Sequence, residues 1–256
     1  MDEQLKIAKE IALEAGVVMT QYFELGMRHT FKDDHSPLTK ADELIQELVI
    51  KRLSEAYPEH SLLGEEGKQI QEGSTYTWVF DPIDGTAAFL RGVPTNVFSL
   101  GLTENGVPVL GVVYDPYTKR LYSAVRGQGA CMNDVSINAS SHADLARSYI
   151  ATDGHSGFKD LTFFERARIE RVRCLSYSST VYASMMVASG QLQGVVLPLG
   201  NPWDSAAAKV IVEEAGGVTS DLYGNDQRYD TQTKGFVCAG NANFHSKLLE
   251  LIAPSI

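Results

Sequence analysis

The sequence predicts a mixed fold, an α+β part followed by an α/β part, and three observations predict it. Two stretches near the start carry helical periodicity. The middle third is a series of short apolar or alternating runs divided by hairpin signals. After about residue 140, strand and helix patterns alternate. With 256 residues, 44% of them hydrophobic, the chain can bury an ample core as one large domain or two closely fused halves. We expect a soft boundary at residue 140. Residues 1–140 would form an α+β half with an antiparallel sheet, and 141–256 an α/β half of the same compact fold.

Residues 5–25 read as an amphipathic helix, because Ile7, Ile11, Ala15, Val18 and Tyr22 recur at three- and four-residue steps, with Gly26 as its stop. Residues 32–37 (KDDHSP) form a polar turn. Thr39-Lys40-Ala41-Asp42 resembles a capping box, and Ile45, Leu48, Val49 and Leu53 carry a second helix to Tyr57-Pro58. By itself, Asp42 is then a first-turn acid that suits the helix dipole. Residues 61–63 make a short strand ending at Gly64-Glu65-Glu66-Gly67, by default a solvated turn.

Residues 78–91, WVFDPIDGTAAFLR, organise the rest. An apolar strand pattern, Trp78 to Phe80, delivers Asp81 and Asp84 to its end and hands over to a helix start. Pro82 stops a central strand, and Gly85 permits a tight turn or close backbone approach. Carboxylates hold a cation and a helix start holds an anion, so the stretch suggests a metal-plus-phosphate site.

Strands follow at 97–102, 107–114 and 120–125. Asn105-Gly106 marks a hairpin, and Gly127-Gln128-Gly129 and Asn133-Asp134 mark further turns. Beyond 140 we expect strands at 149–152, 172–175, 193–197, 218–219 and 236–239. Helices are expected around 163–168, at 181–189 closed by Gly190, at 205–215 before Gly216-Gly217, and at 244–252.

Composition narrows the function. A net charge of −10 argues against a broad nucleic-acid footprint, so nucleic acid is not an expected partner. No apolar run reaches signal or spanning length, so a cytoplasmic protein without membrane contact is expected. Cys131, Cys174 and Cys238 are odd in number and widely spaced, suggesting neither a disulfide framework nor a CxxC metal site. The six histidines lack HxH or HExxH spacing, and no EF-hand loop is present. The acids at element junctions, Asp42, Glu65, Glu66, Asp81, Asp84 and Asp204, are an all-oxygen set suited to a hard cation such as Mg²⁺ or Mn²⁺.

GEE at residues 64–66, DPIDGT at 81–86, WDSAA at 203–207 and EEAGG at 213–217 together resemble the inositol monophosphatase family, within the superfamily that includes fructose-1,6-bisphosphatase. Weaker similarity runs from Pro37 to the C-terminal strand. The resemblance implies a layered α/β sandwich of the sugar-phosphatase type, a homodimer, and an Mg²⁺-dependent, lithium-sensitive phosphomonoesterase with two or three ions. It implies that Glu65, Asp81 and the carbonyl of Ile83 bind one metal, and Asp81, Asp84 and Asp204 another. Asp42 and Thr86 would orient and deprotonate the attacking water, with Glu66 in support. The amides of Gly85, Thr86 and Ala87 would take the phosphate, and Ser178, Leu197 and Asp204 would face the rest of a small phosphorylated metabolite. Magnitudes agree that metal must dominate: phosphate monoester hydrolysis asks for ~20 kcal/mol of barrier lowering, whereas a helix N-terminus supplies about 0.3–2 kcal/mol.

Three departures bear on the substrate. Ala87-Ala88-Phe89 follows DGT, which removes hydroxyl contacts while keeping amides. Ser176-Tyr177-Ser178 replaces a strip of smaller residues. Leu197 stands where inositol-specific members place a glutamate, and leucine accepts no bond from a sugar hydroxyl. Arg91-Gly92-Val93-Pro94 resembles histidinol-phosphate phosphatases of the same family. Fructose-1,6-bisphosphate and 3′-phosphoadenosine 5′-phosphate are further alternatives, for which Lys159, Arg166, Arg168, Arg171 and Arg173 could supply a second phosphate site. A non-catalytic regulator acting on RNA or the transcription machinery is the alternative of another class.

Overall fold

A computed structural model describes residues 1–23, 29–31, 37–152 and 157–256. The first elements are α1 (Asp2–Tyr22), β1 (His29–Phe31), β2 (Pro37–Thr39), α2 (Lys40–Ala56), β3 (Ser61–Gly64), β4 (Gly67–Gln69), β5 (Tyr76–Asp84) and α3 (Thr86–Phe89). Then come β6 (Val97–Glu104), β7 (Val107–Asp115), β8 (Arg120–Val125), β9 (Ala130–Met132), β10 (Val135–Ser136) and β11 (Tyr149–Thr152). The chain continues with α4 (Thr162–Ile169), β12 (Arg173–Leu175), α5 (Thr180–Ala188) and β13 (Gly194–Leu197). It closes with α6 (Ala206–Glu214), β14 (Val218–Ser220), β15 (Phe236–Ala239) and α7 (Ala242–Ile252). The Gly26 stop, the end of the expected first helix at residue 25 and the polar turn over residues 32–36 lie outside the described residues.

Strand alternation builds the layers. In β5, Trp78 and Phe80 join Ile11, Ala15, Ile45 and Val49 of α1 and α2, while Val79 turns to the opposite face. That opposite face packs on α5 and α6. Beyond these helices lie Val195, Leu197, Phe236 and Cys238 of a second sheet, whose other face, Val196, Val237 and Ala239, meets α4 and α7. The result is a helix–sheet–helix–sheet–helix sandwich. Full burial of a side chain such as Phe80 contributes about 1.5–3 kcal/mol.

The first sheet has eight strands in the order β10-β9-β8-β7-β6-β5-β3-β4, and the second has five, β12-β11-β13-β15-β14. Neighbours from β5 through β10 are antiparallel, as the hairpin signals predict. Asn105 (φ 52°) and Gly106 (φ 83°) are both left-handed between paired Glu104 and Val107, the backbone that a two-residue primed turn requires. The second sheet is mixed, with β11 parallel to β12 and β13 and β15 antiparallel to both its neighbours.

Two contacts explain the small residues of WDSAA. A Cβ on Gly111 of β7 would lie 2.5 Å from the Ala207 carbonyl, and one on Gly101 of β6 3.0 Å from the Ala207 amide. The start of α6 therefore rests directly on a glycine strip of the first sheet. That fixes the position of Asp204 just before it.

One expectation needs correcting. Pro82 does not stop the strand: β5 runs through it to Asp84. Asp81 pairs with Ser99 and Asp84 with Val97, so Pro82 and Ile83 together oppose a single residue in a bulge, a position without a ladder donor and hence open to proline. β1, β2, β4, β9 and β10 were not expected; at two or three residues each they are too short to show a period.

Candidate active site

The β5 bulge re-aims the end of the strand. Asp81, Asp84 and Asp204 each bring a carboxylate oxygen to a common place, all within 4.8 Å of one another. Asp81 is 2% and Asp84 6% exposed. Burial pushes the Asp81 carboxyl well above its usual range, and negative Glu65, Asp84, Asp204 and Asp42 push it further. Without a compensating cation such a cluster is electrostatically costly. Its donors are all hard oxygen, which fits a hard divalent cation.

Each acid is held by its own local structure. Asp81 Oδ1 accepts from the Ile83 amide at 2.9 Å. Asp84 Oδ2 accepts from the Val181 amide at 2.8 Å and from the Ser179 hydroxyl. Asp204 Oδ2 accepts from the Asn201 amide at 2.7 Å, closing a capping box on the one-turn helix Pro202–Asp204. Glu65 and Glu66 are the two turn residues between β3 and β4, half-buried, with Gly64 paired to Gly67. The Glu65 amide donates to the Phe80 carbonyl at 3.3 Å, which ties this turn to the strand that carries Asp81. Glu65 lies outside the group of three carboxylates, yet close enough to act on both Asp81 and Asp42.

Asp42 does two things at once. Its Oδ2 accepts from the Thr39 amide at 2.8 Å and the Thr39 hydroxyl at 2.5 Å, completing the predicted capping box at the start of α2. Its Oδ1 is buried and has no hydrogen-bond partner among the described residues. Burial raises the carboxyl to about 7 against the pull of the Thr39 bonds, and Glu65 and Glu66 add to the rise. The Thr86 hydroxyl donates to the Ile83 carbonyl at 3.0 Å, so the hydroxyl bonded to Asp42 is that of Thr39.

Gly85 (φ 95°) makes the turn into α3, where a Cβ would lie 2.9 Å from the Ser178 carbonyl. The helix that follows is four residues long. Ala87 and Ser178 line a cavity of about 320 Å³ with Arg91, Thr95 and Tyr177. The Ala87 carbonyl accepts from Arg91 at 2.6 Å. Leu197 is not among the residues lining this cavity; it is 6% exposed and packs in the central core beside Gly200, near which Asp204 Oδ2 also lies. Of the basic residues considered for a second phosphate, Arg166 donates to the carbonyls of Glu250 and Leu251 and Lys159 to that of Ile256. Arg168, Arg171 and Arg173 line a separate cavity.

Ser179 and Asn201 were not expected at the site. The signal for Ser179 was present as an N-cap type just ahead of an apolar helix, and Asn201 stands three residues before Asp204 as a capping pair. The Ser179 signal does not say that the cap would meet Asp84, 95 residues away.

The inositol monophosphatase family model matches residues 1–256. A histidinol-phosphatase of Chlorobaculum parvum is 34% identical over 94% of both chains. Inositol monophosphatase 2 of Solanum lycopersicum is 32% identical over the full length of both. The solved extragenic suppressor protein suhB of Bartonella henselae superposes with a TM-score of 0.90 at 28% identity, covering 99% of this chain and 100% of that one. Motifs, layered fold and full-length similarity converge: the chain belongs to the inositol monophosphatase family of phosphoric monoester hydrolases.

Proposed function

We propose that the protein is an Mg²⁺-dependent phosphomonoesterase of a small phosphorylated metabolite, with two or three ions and Mn²⁺ as a substitute. The observation that carries this reading is the meeting of Asp81, Asp84 and Asp204 within 4.8 Å around a buried carboxylate. Asp81, Asp84, Asp204, Glu65 and the Ile83 carbonyl are the proposed ligands. A divalent cation held there supplies charge neutralisation and Lewis acidity toward phosphoryl oxygen and water.

The other roles belong to the chain itself. Asp42 Oδ1, buried and unpartnered, is the proposed proton acceptor for the attacking water, while Thr39 fixes the other oxygen. Thr86 shapes the same corner by holding the Ile83 carbonyl, and Glu66 supports Asp42 from the neighbouring turn. Gly85 allows the backbone of residues 85–87 to approach the phosphate closely. The halves 1–140 and 141–256 act as one unit in this proposal, since the second supplies Asp204 and Ser179 to the acids of the first.

For the leaving group, an amino-alcohol phosphate of the histidinol phosphate type is favoured over inositol phosphate. Leu197 offers the substrate no polar atom, Arg91-Gly92-Val93-Pro94 resembles histidinol-phosphate phosphatases, and the C. parvum relative is named for that activity. A homodimer and lithium sensitivity are proposed with it on the family resemblance, and a cytoplasmic setting on the sequence pattern. No helix among the described residues is long and apolar enough to cross a membrane.

The test is phosphate release from histidinol phosphate, inositol 1-phosphate, fructose 1,6-bisphosphate and 3′-phosphoadenosine 5′-phosphate. It is run with Mg²⁺, with chelator, and with Asp84→Asn. Activity confined to the Mg²⁺ arm and lost in the variant is expected; activity undiminished by chelator or by the variant sinks the proposal.

A further inference from the structure

Four arginines surround a cavity that has no place in the hydrolytic site. Arg147, Arg168, Arg171 and Arg173 line a space of about 660 Å³ with Tyr149, Phe164, Ala167, Val172 and Cys174. All four arginines are exposed, and none has an ion pair or side-chain hydrogen bond to a described residue. Among the described residues no acid lines the cavity, and none of the clustered carboxylates reaches it.

The charge placement is unusual for this molecule. The chain holds 22 basic residues against 32 acidic ones, so four guanidinium groups on one concave wall stand against the general field. Like charges around a common space repel, so an anion placed among them is favoured. Arg173 lies over the Tyr149 ring at 5.3 Å, a cation–π contact that ties its guanidinium to this wall.

The wall is also tied together. The Arg147 amide donates to the Arg171 carbonyl at 3.0 Å, and the Arg173 amide to the Ser148 carbonyl at 2.9 Å. Arg147 (φ 67°) and Arg171 (φ 60°) both hold the left-handed conformation, so the two turns that carry them are sharply bent and face each other. Backbone pairing thus fixes where the chain presents Arg147, Arg171 and Arg173, side by side on one wall.

We propose that this cavity binds a compact polyphosphate chain, either inorganic or as part of a nucleoside polyphosphate. Guanidinium forks recognise phosphate oxygens bidentately, and several of them around one pocket suit a ligand with three or more charges. The volume lies in the range of small-molecule sites. An extended polyanion fits less well. In the adjoining cavity, which shares Arg147, Lys247 is paired with Asp144 at 3.3 Å and Glu170 stands beside them, so the basic wall does not run on for an extended strand.

The test is calorimetric titration of the full chain with inorganic tripolyphosphate in chelator and low salt, where the carboxylate cluster has no cation through which to hold phosphate. Saturable binding that weakens as salt rises is expected. In Arg168→Gln/Arg171→Gln it should weaken by roughly tenfold or more, with the thermal midpoint unchanged. ATP binding as tightly as tripolyphosphate supports a site for the phosphate chain alone, and tighter ATP binding supports added nucleoside contacts near Tyr149. No tripolyphosphate binding by the wild type, or equal binding by the double variant, overturns the proposal. So does a short single-stranded RNA that binds more tightly than tripolyphosphate through the same arginines. None of these readouts depends on phosphatase turnover.

Discussion

Ser179 donates its hydroxyl to Asp84 across 95 residues of sequence, and the same oxygen, Oγ, accepts from the Tyr182 amide at 3.0 Å as the cap of α5. A structural cap is thereby also the positioner of a proposed metal ligand, with the Val181 amide beside it.

Ser179→Ala removes both interactions. Loss of a helix cap costs about 0.5–2 kcal/mol, and a bond to a charged group about 1.5–3 kcal/mol. The expected result is a lower thermal midpoint together with a higher Mg²⁺ concentration for half-maximal activity. A lower midpoint with an unshifted Mg²⁺ requirement would mean that Ser179 only caps the helix.

Asp204→Asn should separate function from stability. The amide oxygen can still accept from the Asn201 amide, but one charge leaves a crowded cluster. Activity should fall by about a hundredfold or more. In chelator, the thermal midpoint should rise, on the scale of ~1 kcal/mol, a few degrees for a domain of this size. A variant that is less stable than wild type in chelator would show that repulsion among the acids is already relieved.

Gly85→Ala should be severe. The position has φ 95°, and a Cβ would lie 2.9 Å from both the Ser178 carbonyl and the Ser179 Cβ. Relief requires moving the segment that holds Asp84. A loss above ~1–2 kcal/mol from backbone and clash together is expected, with reduced Mg²⁺ affinity. Near-wild-type urea stability and activity would contradict the close approach.

Acid should weaken the fold through its buried histidines. His60 accepts the Trp78 indole N–H on Nδ1 at 3.1 Å, and burial lowers its pKa, with Glu59 opposing weakly; burial lowers that of His245 as well. A depressed folded-state pKa means that the unfolded chain binds protons first. Stability is full above the unfolded value near 6.5 and falls as pH drops from there through the folded values. Wild-type and His60→Asn urea midpoints, compared between about pH 7.5 and about pH 5.5, should show a smaller drop in the variant. Asp42 and Asp81, raised in the folded state, act with the opposite sign but are common to both proteins and cancel in the difference. Equal drops would remove His60 from the account.

Much of this was legible in the chain, and particular residues show why. Asp81 and Asp84 are three apart, so local geometry alone keeps them together, and the Thr39–Asp42 capping box is a contact within one helical turn. The strands at Arg120–Val125 and Tyr149–Thr152 have the expected bounds, because alternation over several residues is a strong local signal. Pro82 misled, since a proline marks a strand end or a bulge equally well, and only the partner strand β6 shows which.

By itself the sequence determined the chemistry offered: an all-oxygen acid set, a glycine where the backbone must turn left-handed, and small residues before and in α6. These are short-range properties, written in spacing and side-chain type. Tertiary structure alone decided which groups meet. Asp204 reaches Asp81 and Asp84 because the start of α6 rests on Gly101 and Gly111, and Ser179 reaches Asp84 because α5 lies between the two sheets. Leu197 was given to the core and four arginines to a separate cavity by the same packing. Contacts across a hundred residues depend on how whole layers stack, and no local pattern encodes that distance.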